Sequence, residues 1–505
     1  MKYLLGIDNG GTVTKAAIYD LEGRELAVSG IKTKLLMPFP GFTERDTEEL
    51  WKANIEVIKD VIAKSGVGAH NIAGVAVTGH GNGMYLVDES GKPVYNGIIS
   101  TDTRAAAIVS KWYNDKTSER VRKKTLQAIY PGQPPALLAW FKQNNPGILE
   151  KTKWILLCKD FIRACLTGEV YTDYTDISVA NLIDTASGVY DIELLKEFGL
   201  EEIINKLPPI KKSSDTCGYI TKEVAALTGL LEGTPVAGGM CDMHACAIAT
   251  GIIYEDLLCI IAGTWSINQY ISRSPVISDD LFLSSIYCVD GYWLNIEASA
   301  TSAGNLEWFV DQFLGEEKLI SNQQGISVYE VCNKIIAETQ PEESDILFLP
   351  FLLGTNEDPN SKACFIGMNG WHTKAHVLRS VYEGVVFSHL YHINRLLKYR
   401  KHPRSIRLSG GASRSGAWVK MFADITGIDI EIVKGTEIGS LGSAICAGIA
   451  CGSFESYEKA VKSMVRLDYI QKPDLSKKEI YARRFNLYKK SIEMLAPFWR
   501  IAKQN

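Results

Sequence analysis

The sequence predicts an α/β protein built as two large domains of related design that face each other across a cleft. Three observations carry this. A chain of 505 residues exceeds what one hydrophobic core usually serves. Short apolar strands alternate with amphipathic stretches, such as 48–63 and 377–397, whose apolar spacing suits helices. A strand–turn–strand pattern also occurs twice. Tyr3-Leu-Leu-Gly-Ile, the turn Asp8-Asn-Gly-Gly-Thr12 and Lys15-Ala-Ala-Ile-Tyr19 return half a chain later as Leu257-Leu-Cys-Ile-Ile-Ala, Gly263-Thr264 and Ser266-Ile-Asn-Gln-Tyr-Ile.

A later strand in each half runs into glycines: Val75-Ala-Val-Thr-Gly79-His-Gly81-Asn-Gly83 in the first and Ile406-Arg-Leu-Ser-Gly410-Gly411 in the second. The boundary is expected near 246–256, with an N-terminal domain over 1–248 and a C-terminal domain over 249–505. Composition is that of an ordinary globular chain, 46% hydrophobic and 22% charged. A net charge of −4 gives no general attraction to nucleic acid or anionic membrane. Eleven scattered cysteines without a C-x-x-C pair point to a reducing compartment. The start Met-Lys-Tyr-Leu-Leu-Gly-Ile-Asp meets a carboxylate too early for a secretory signal. The run Ile346–Leu353 is too short to cross a bilayer and contains Pro350. The expectation is a cytoplasmic protein.

The chemistry gathers at glycine turns. Asp242 follows Gly238-Gly239-Met240-Cys241, where glycines let a ligand approach the backbone closely, which makes it a general-base candidate. In the two Gly-Thr hairpins, glycine exposes N–H groups that can wrap a phosphate, and threonine adds a hydroxyl donor. Asp8 would repel phosphate and is expected to hold Mg²⁺ through water; Lys15 could neutralise phosphate as a point charge. Each hairpin alone reads better as an ordinary glycine turn; their duplication reverses this and favours the phosphate reading.

Other clusters read more plainly. Cys241, His244 and Cys246 crowd three donors into six residues with no evident fourth, a poor match to a structural zinc site. Cys446 and Cys451 fit as small buried residues of an Ala/Gly-rich helix. Glu437 reads either as a nucleotide neighbour or as an acid at a helix N-terminus, and 398–404 as a solvated basic helix end.

These residues together resemble the FGGY family of sugar kinases. The match runs through the Asp8–Thr12 and Gly263–Thr264 hairpins, Asp242, Gly410-Gly411, Pro40–Asp46, Asp102-Thr-Arg104, Lys159–Gly168 and the signature from Ala363 to Glu383. The resemblance implies the actin-like ATPase fold, two ribonuclease-H-like domains closing on ATP and Mg²⁺. It also assigns roles. Asp242 becomes the base that deprotonates the sugar hydroxyl as it attacks the γ-phosphorus. Gly11, Thr12, Gly263 and Thr264 become phosphate-loop positions, and Gly304, Gly410, Gly411 and Ser415 lie near the nucleotide. Gly81 and Asn82 contact substrate, with His80 and Asp102 lining that pocket. The implied partner is a small-molecule sugar, with a homodimer left open.

The chain departs from the family pattern at Leu137, where a lysine is usual. Gly81-Asn82 replaces the Arg-Glu pair of glycerol kinases, and Trp265 follows Thr264. These features resemble the L-xylulose kinase branch. Alternatives are kinases for D-xylulose, ribulose, glycerol or a hexulose and, from another class, an actin- or heat-shock-like ATPase with no sugar substrate.

Overall fold

The computed structural model describes residues 1–355 and 360–502. The first half is organised on a mixed sheet of β1 (Tyr3–Asn9), β2 (Val13–Asp20), β3 (Glu25–Lys32), β4 (Ile72–Gly79), β5 (Thr216–Tyr219), β6 (Pro235–Ala237) and β7 (Met240–Cys241). Its order is β5-β6-β4-β1-β2-β3, with β7 also paired to β4. Leu4 and Leu5 of β1 and Ala16 to Ile18 of β2 are fully buried in succession, as required of strands covered on both faces.

The second half repeats the plan with β8 (Leu257–Ala262), β9 (Ser266–Ser272), β10 (Leu283–Ile286), β11 (Trp293–Ser299), β12 (Ser405–Ser409), β13 (Ile430–Val433) and β14 (Leu467–Gln471), in the order β10-β11-β9-β8-β12-β13-β14. In each half an antiparallel hairpin, β1–β2 or β8–β9, has its first strand paired in parallel with the glycine-ending strand, β4 or β12. The turns that end those strands therefore stand beside the hairpin tips at the carboxyl edge of each sheet, where α/β proteins bind ligands.

Helix α1 (Thr47–Ser65) shows how local sequence sets these elements. Asp46 accepts the Glu48 and Glu49 amides at its start, Gly66 ends it at φ 67°, and Leu50, Val57, Ile58 and Val61 form its buried face. The insertion after β4 holds α2 (Pro134–Asn144), α3 (Cys158–Thr167) and α4 (Tyr174–Ile177), and α5 (Asp242–Ala249) follows β7 directly. Between β11 and β12 lie α6 (Gly304–Phe313) and the long α7 (Lys374–Leu396); after β12 come α8 (Gly416–Thr426), α9 (Ile438–Ala450) and α10 (Lys478–Ala502).

Helix α9 belongs to the second half by sequence but lies on the first sheet. Its small residues permit the approach: a methyl on Gly6 of β1 would stand 1.9 Å from the Ser440 carbonyl oxygen, and one on Gly442 2.1 Å from that of Ala245. One apolar core therefore runs from Leu4 and Ala76 through Ala245 and Ile248 to Ala444 and Leu257, joining the halves beneath the cleft. The 398–404 segment is not simply solvated. Arg400 donates to the Leu257 and Glu255 carbonyls and Arg404 pairs with Asp256, so the segment seals the start of β8. Among the described residues no helix is long and apolar enough to cross a membrane.

Candidate active site

A cavity of about 940 Å³ lies in the cleft, with Asp8, Lys15, Gly263, Thr264, Gly304, Gly410, Gly411 and Ser415 in its walls. Eight residues scattered over 400 positions of sequence thus share one surface, because the strands flanking the first hairpin, the tip of the second and the β12 turn meet there. Gly410 (φ 86°) packs its α-carbon against the second hairpin, where a methyl would lie 2.6 Å from the Ala262 carbonyl oxygen. The Ser415 hydroxyl caps α8 by accepting the Trp418 amide and donates to Asn333 Oδ1 at 2.7 Å. Tyr382 donates to the same oxygen.

Asp242 is the first residue of α5 rather than part of an open turn. Its Oδ1 accepts the Met243 amide at 2.7 Å. Burial raises its pKa to about 6, against the lowering pull of the Met243 amide, the Cys241 thiol and the Gly81 amide. Asp8, at the end of β1, is raised further, to about 7, by burial first and then by Asp242 and Glu437, with Lys15 opposing. Asp8 Oδ1 is buried without a hydrogen-bond partner, and Gly439 at the start of α9 leaves room for the carboxylate, since a methyl there would be 2.3 Å from Oδ2. Two half-buried carboxylates that feel each other's charge, one with an orphaned oxygen, form an oxygen-only donor set that suits Mg²⁺ completed by water and phosphate.

Lys15 is not a free cation. Its Nζ lies 2.7 Å from Glu437 Oε2, and Glu437 sits at the N-cap position of α9. Glu437 therefore heads a helix and also lines the large cavity.

Gly11 and Thr12 are exposed at the tip of the first hairpin, outside the walls of the large cavity. The 79–83 loop stands beside them, because the His80 amide donates to the Asn9 carbonyl. His80 is buried, its Nε2 3.2 Å from the Tyr85 hydroxyl, and burial lowers its pKa to about 3, so it is neutral. Gly81 has no room for a side chain, since a methyl would come 2.8 Å from Cys241 Sγ. Asn82 takes a left-handed φ of 61° and buries Oδ1 without a partner.

Asp102 does not line a free pocket. Its two oxygens accept the Thr43 amide, the Arg104 amide and two Arg104 guanidinium N–H groups, which uses its acceptor capacity. Its work is to fix the 102–104 turn to the 43–45 strand. Leu137 is fully buried in α2 among Leu138, Phe141 and Met84, so this position serves packing. His244 is committed to the Ser285 hydroxyl.

Sequence reasoning passed over Tyr130. Its phenol feels the charge of Asp242 and lies close to Asn82, and its ring stacks on Phe282 of the other half, centroids 6.2 Å apart. No local pattern marks it, because its partners come from three distant segments.

Residues 3–249 match the N-terminal domain, and residues 258–451 the C-terminal domain, of the FGGY family of carbohydrate kinases. The chain belongs to the FGGY family. It is 36% identical over 505 residues to the L-xylulose/3-keto-L-gulonate kinase of Escherichia coli K12, covering 100% of this chain and 99% of that one. It is 38% identical to a probable L-xylulose kinase of Pasteurella multocida, over 88% of this chain and 90% of the relative. Among solved structures, xylulose kinase from Rhodospirillum rubrum superposes with a TM-score of 0.86 at 26% identity, over 99% of this chain and 100% of that one. The protein is thus a carbohydrate kinase with ATP as phosphoryl donor and a small-molecule sugar as acceptor, on the two-domain actin-like fold.

Proposed function

We propose that the protein transfers the γ-phosphate of ATP to a ketopentose, L-xylulose, giving its 5-phosphate. The observation that carries the mechanism is Asp242, a half-buried carboxylate at a helix start whose Oδ1 already accepts one amide and whose neighbours are the 79–83 loop and Asp8. With a pKa of about 6, Asp242 is ionised at neutral pH yet basic enough to take the sugar hydroxyl proton as the oxygen attacks. Asn82, with its unpartnered buried oxygen, and Tyr130 orient the sugar, and Gly81 leaves the space. Gly11 and Thr12 face the transferred phosphate from one side, and Gly263 and Thr264 from the other; Lys15 adds positive charge. Gly304, Gly410, Gly411 and Ser415 form the nucleotide's ribose and base side. Mg²⁺, held by Asp8 through water, would supply charge neutralisation at the phosphates.

The substrate assignment rests on the names of the relatives above, together with a probable L-xylulose kinase of Haemophilus influenzae at 36% identity over 98% of this chain. Eleven unpaired cysteines support a cytoplasmic location. The test is ADP release with L-xylulose, D-xylulose, ribulose and glycerol in a coupled assay. L-Xylulose is expected to give the highest kcat/KM. Preference for D-xylulose or glycerol would overturn the branch assignment, and ADP release indifferent to every sugar would favour a conformational ATPase.

A further inference from the structure

Arg45 lies beneath the first hairpin as a buried cation with no anionic partner among the described residues. It is 1% exposed. Its terminal nitrogen NH2 donates to the Gly10 carbonyl at 3.0 Å and also to the Gly11 carbonyl. Nε and the other terminal nitrogen, NH1, have no hydrogen-bond partner. Among the described residues no acidic side chain pairs with it; the groups that feel its charge are His80, Tyr85 and Cys158, all neutral at pH 7. A desolvated, uncompensated guanidinium is costly to keep. Arg104, by contrast, is also buried but carries Glu44 and Asp102 as partners.

The geometry of the peptide explains what the contact does. In a trans peptide the C=O of one residue and the N–H of the next point in opposite directions. Turning the Gly10 and Gly11 carbonyls inward onto Arg45 therefore turns the Gly11 and Thr12 N–H groups outward. Those two residues are exposed, and among the described residues nothing accepts their N–H groups. Glycine at 10 and 11 makes the peptide planes easy to rotate, so without a clamp their orientation would be poorly determined. The second hairpin is held differently: the Gly263 amide donates to the Trp265 carbonyl, and the Thr264 carbonyl accepts from the Ser302 amide.

We propose that Arg45 is a positioning residue for phosphoryl transfer: it clamps the Gly10 and Gly11 carbonyls so that the first hairpin presents two fixed amide donors to the transferred phosphate, and its unbalanced charge finds its counter-ion in that phosphate. This rests on the kinase reading above. A planar guanidinium can reach both carbonyls from one nitrogen while keeping its other donors in place, which a lysine ammonium does less rigidly.

The test compares wild type with Arg45→Lys and Arg45→Met in equilibrium binding of ADP and of a non-hydrolysable ATP analogue, in steady-state kinetics and in sugar binding. Arg45→Met is expected to weaken the triphosphate analogue at least tenfold more than ADP and to lower kcat tenfold or more. L-Xylulose affinity should stay within twofold, with Arg45→Lys intermediate. Equal losses for both nucleotides, or unchanged kcat and analogue binding, would overturn the proposal while leaving the kinase reading intact. A structure of the wild type with the analogue avoids dependence on variant folding. Both carbonyls should remain on Arg45 with the Gly11 and Thr12 amides about 2.7–3.2 Å from γ-phosphate oxygens. Carbonyls turned away from Arg45 would refute the clamp, and a γ-phosphate bound elsewhere would refute the hairpin's role as well.

Discussion

Lys15 and Glu437, 422 residues apart in sequence, meet at 2.7 Å in the wall of the large cavity. The contact joins β2 of the first sheet to the start of α9. It is reinforced by the Tyr19 hydroxyl, which donates to the Glu437 carbonyl, and by Glu25, which accepts the Glu437 amide. With the Lys15 side chain 34% exposed, the pair adds on the order of 0–1 kcal/mol to stability. Its consequence is electrostatic, since it sets how much positive charge the phosphates meet. Lys15→Met should raise the KM for ATP roughly tenfold and leave the melting temperature nearly unchanged. Glu437→Gln, which releases the lysine, should lower that KM. Steady-state kinetics with varied ATP would decide; a rise in KM for both variants would show that the pair acts as a unit.

Asp242→Asn should reduce kcat by roughly 10³-fold or more while nucleotide binding, measured by calorimetry, changes less than threefold. Near-normal turnover in this variant would remove Asp242 from the role of base.

The pH dependence follows from the same group. Because Asp242 must be ionised, kcat/KM for the sugar should rise with pH through about 6. Mg²⁺ affinity should rise through about 7 as Asp8 loses its proton. Flat profiles between pH 5 and 8 would contradict both assignments.

Stability without ligands should run the other way. Both carboxylates have folded-state pKa values above their unfolded value, so the folded protein holds these protons more tightly. They cost nothing below about pH 4, and the penalty grows as pH rises, reaching its full size above about 7. Asp8→Asn and Asp242→Asn should therefore each stabilise the ligand-free protein at pH 7.5, by roughly 1–3 kcal/mol, and much less at pH 4.5. Denaturant unfolding at the two pH values measures this. Destabilisation at pH 7.5 would show that the carboxylates are held by interactions stronger than their desolvation.

Gly439→Ala places a methyl 2.3 Å from Asp8 Oδ2, so either the carboxylate or the start of α9 must move. The variant should lose more than tenfold in Mg²⁺ affinity, read by titration of activity against the metal, with a smaller change in the sugar KM. Unaltered Mg²⁺ dependence would separate Asp8 from the metal.

Asp102→Asn tests the anchor role. Loss of charge beside buried Arg104 should destabilise by about 2–4 kcal/mol, with the sugar KM within threefold for the folded protein. Unchanged stability with a much higher sugar KM would return Asp102 to the substrate pocket.

Much of this architecture is legible along the chain because it is encoded locally. Apolar runs with glycine turns define the β1–β2 and β8–β9 hairpins, and the same turns single out Asp8, Gly263 and Gly410, which the fold brings to one cavity. What could not be read were relationships between segments. Asp102 has the residue type and position of a pocket carboxylate, yet its oxygens are consumed by Arg104 and Thr43. Lys15 looks like a free cation until Glu437 folds onto it. Tyr130 carries no local signal, and Arg45 reads as one more charged residue in a short strand.

The sequence by itself determined the duplicated α/β plan, the two glycine-threonine tips, the family and the acid at 242, because periodicity, turn chemistry and residue type are properties of neighbouring positions. Tertiary structure alone decided which charges are neutralised and which remain unpaired. It carries α9 across to the first sheet, pairs Lys15 and Asp102 with partners and, among the described residues, leaves Asp8 Oδ1 without a hydrogen bond and Arg45 without an anion. The reason is physical: burial and Coulomb energy depend on distance through space, and a linear pattern records only distance along the chain.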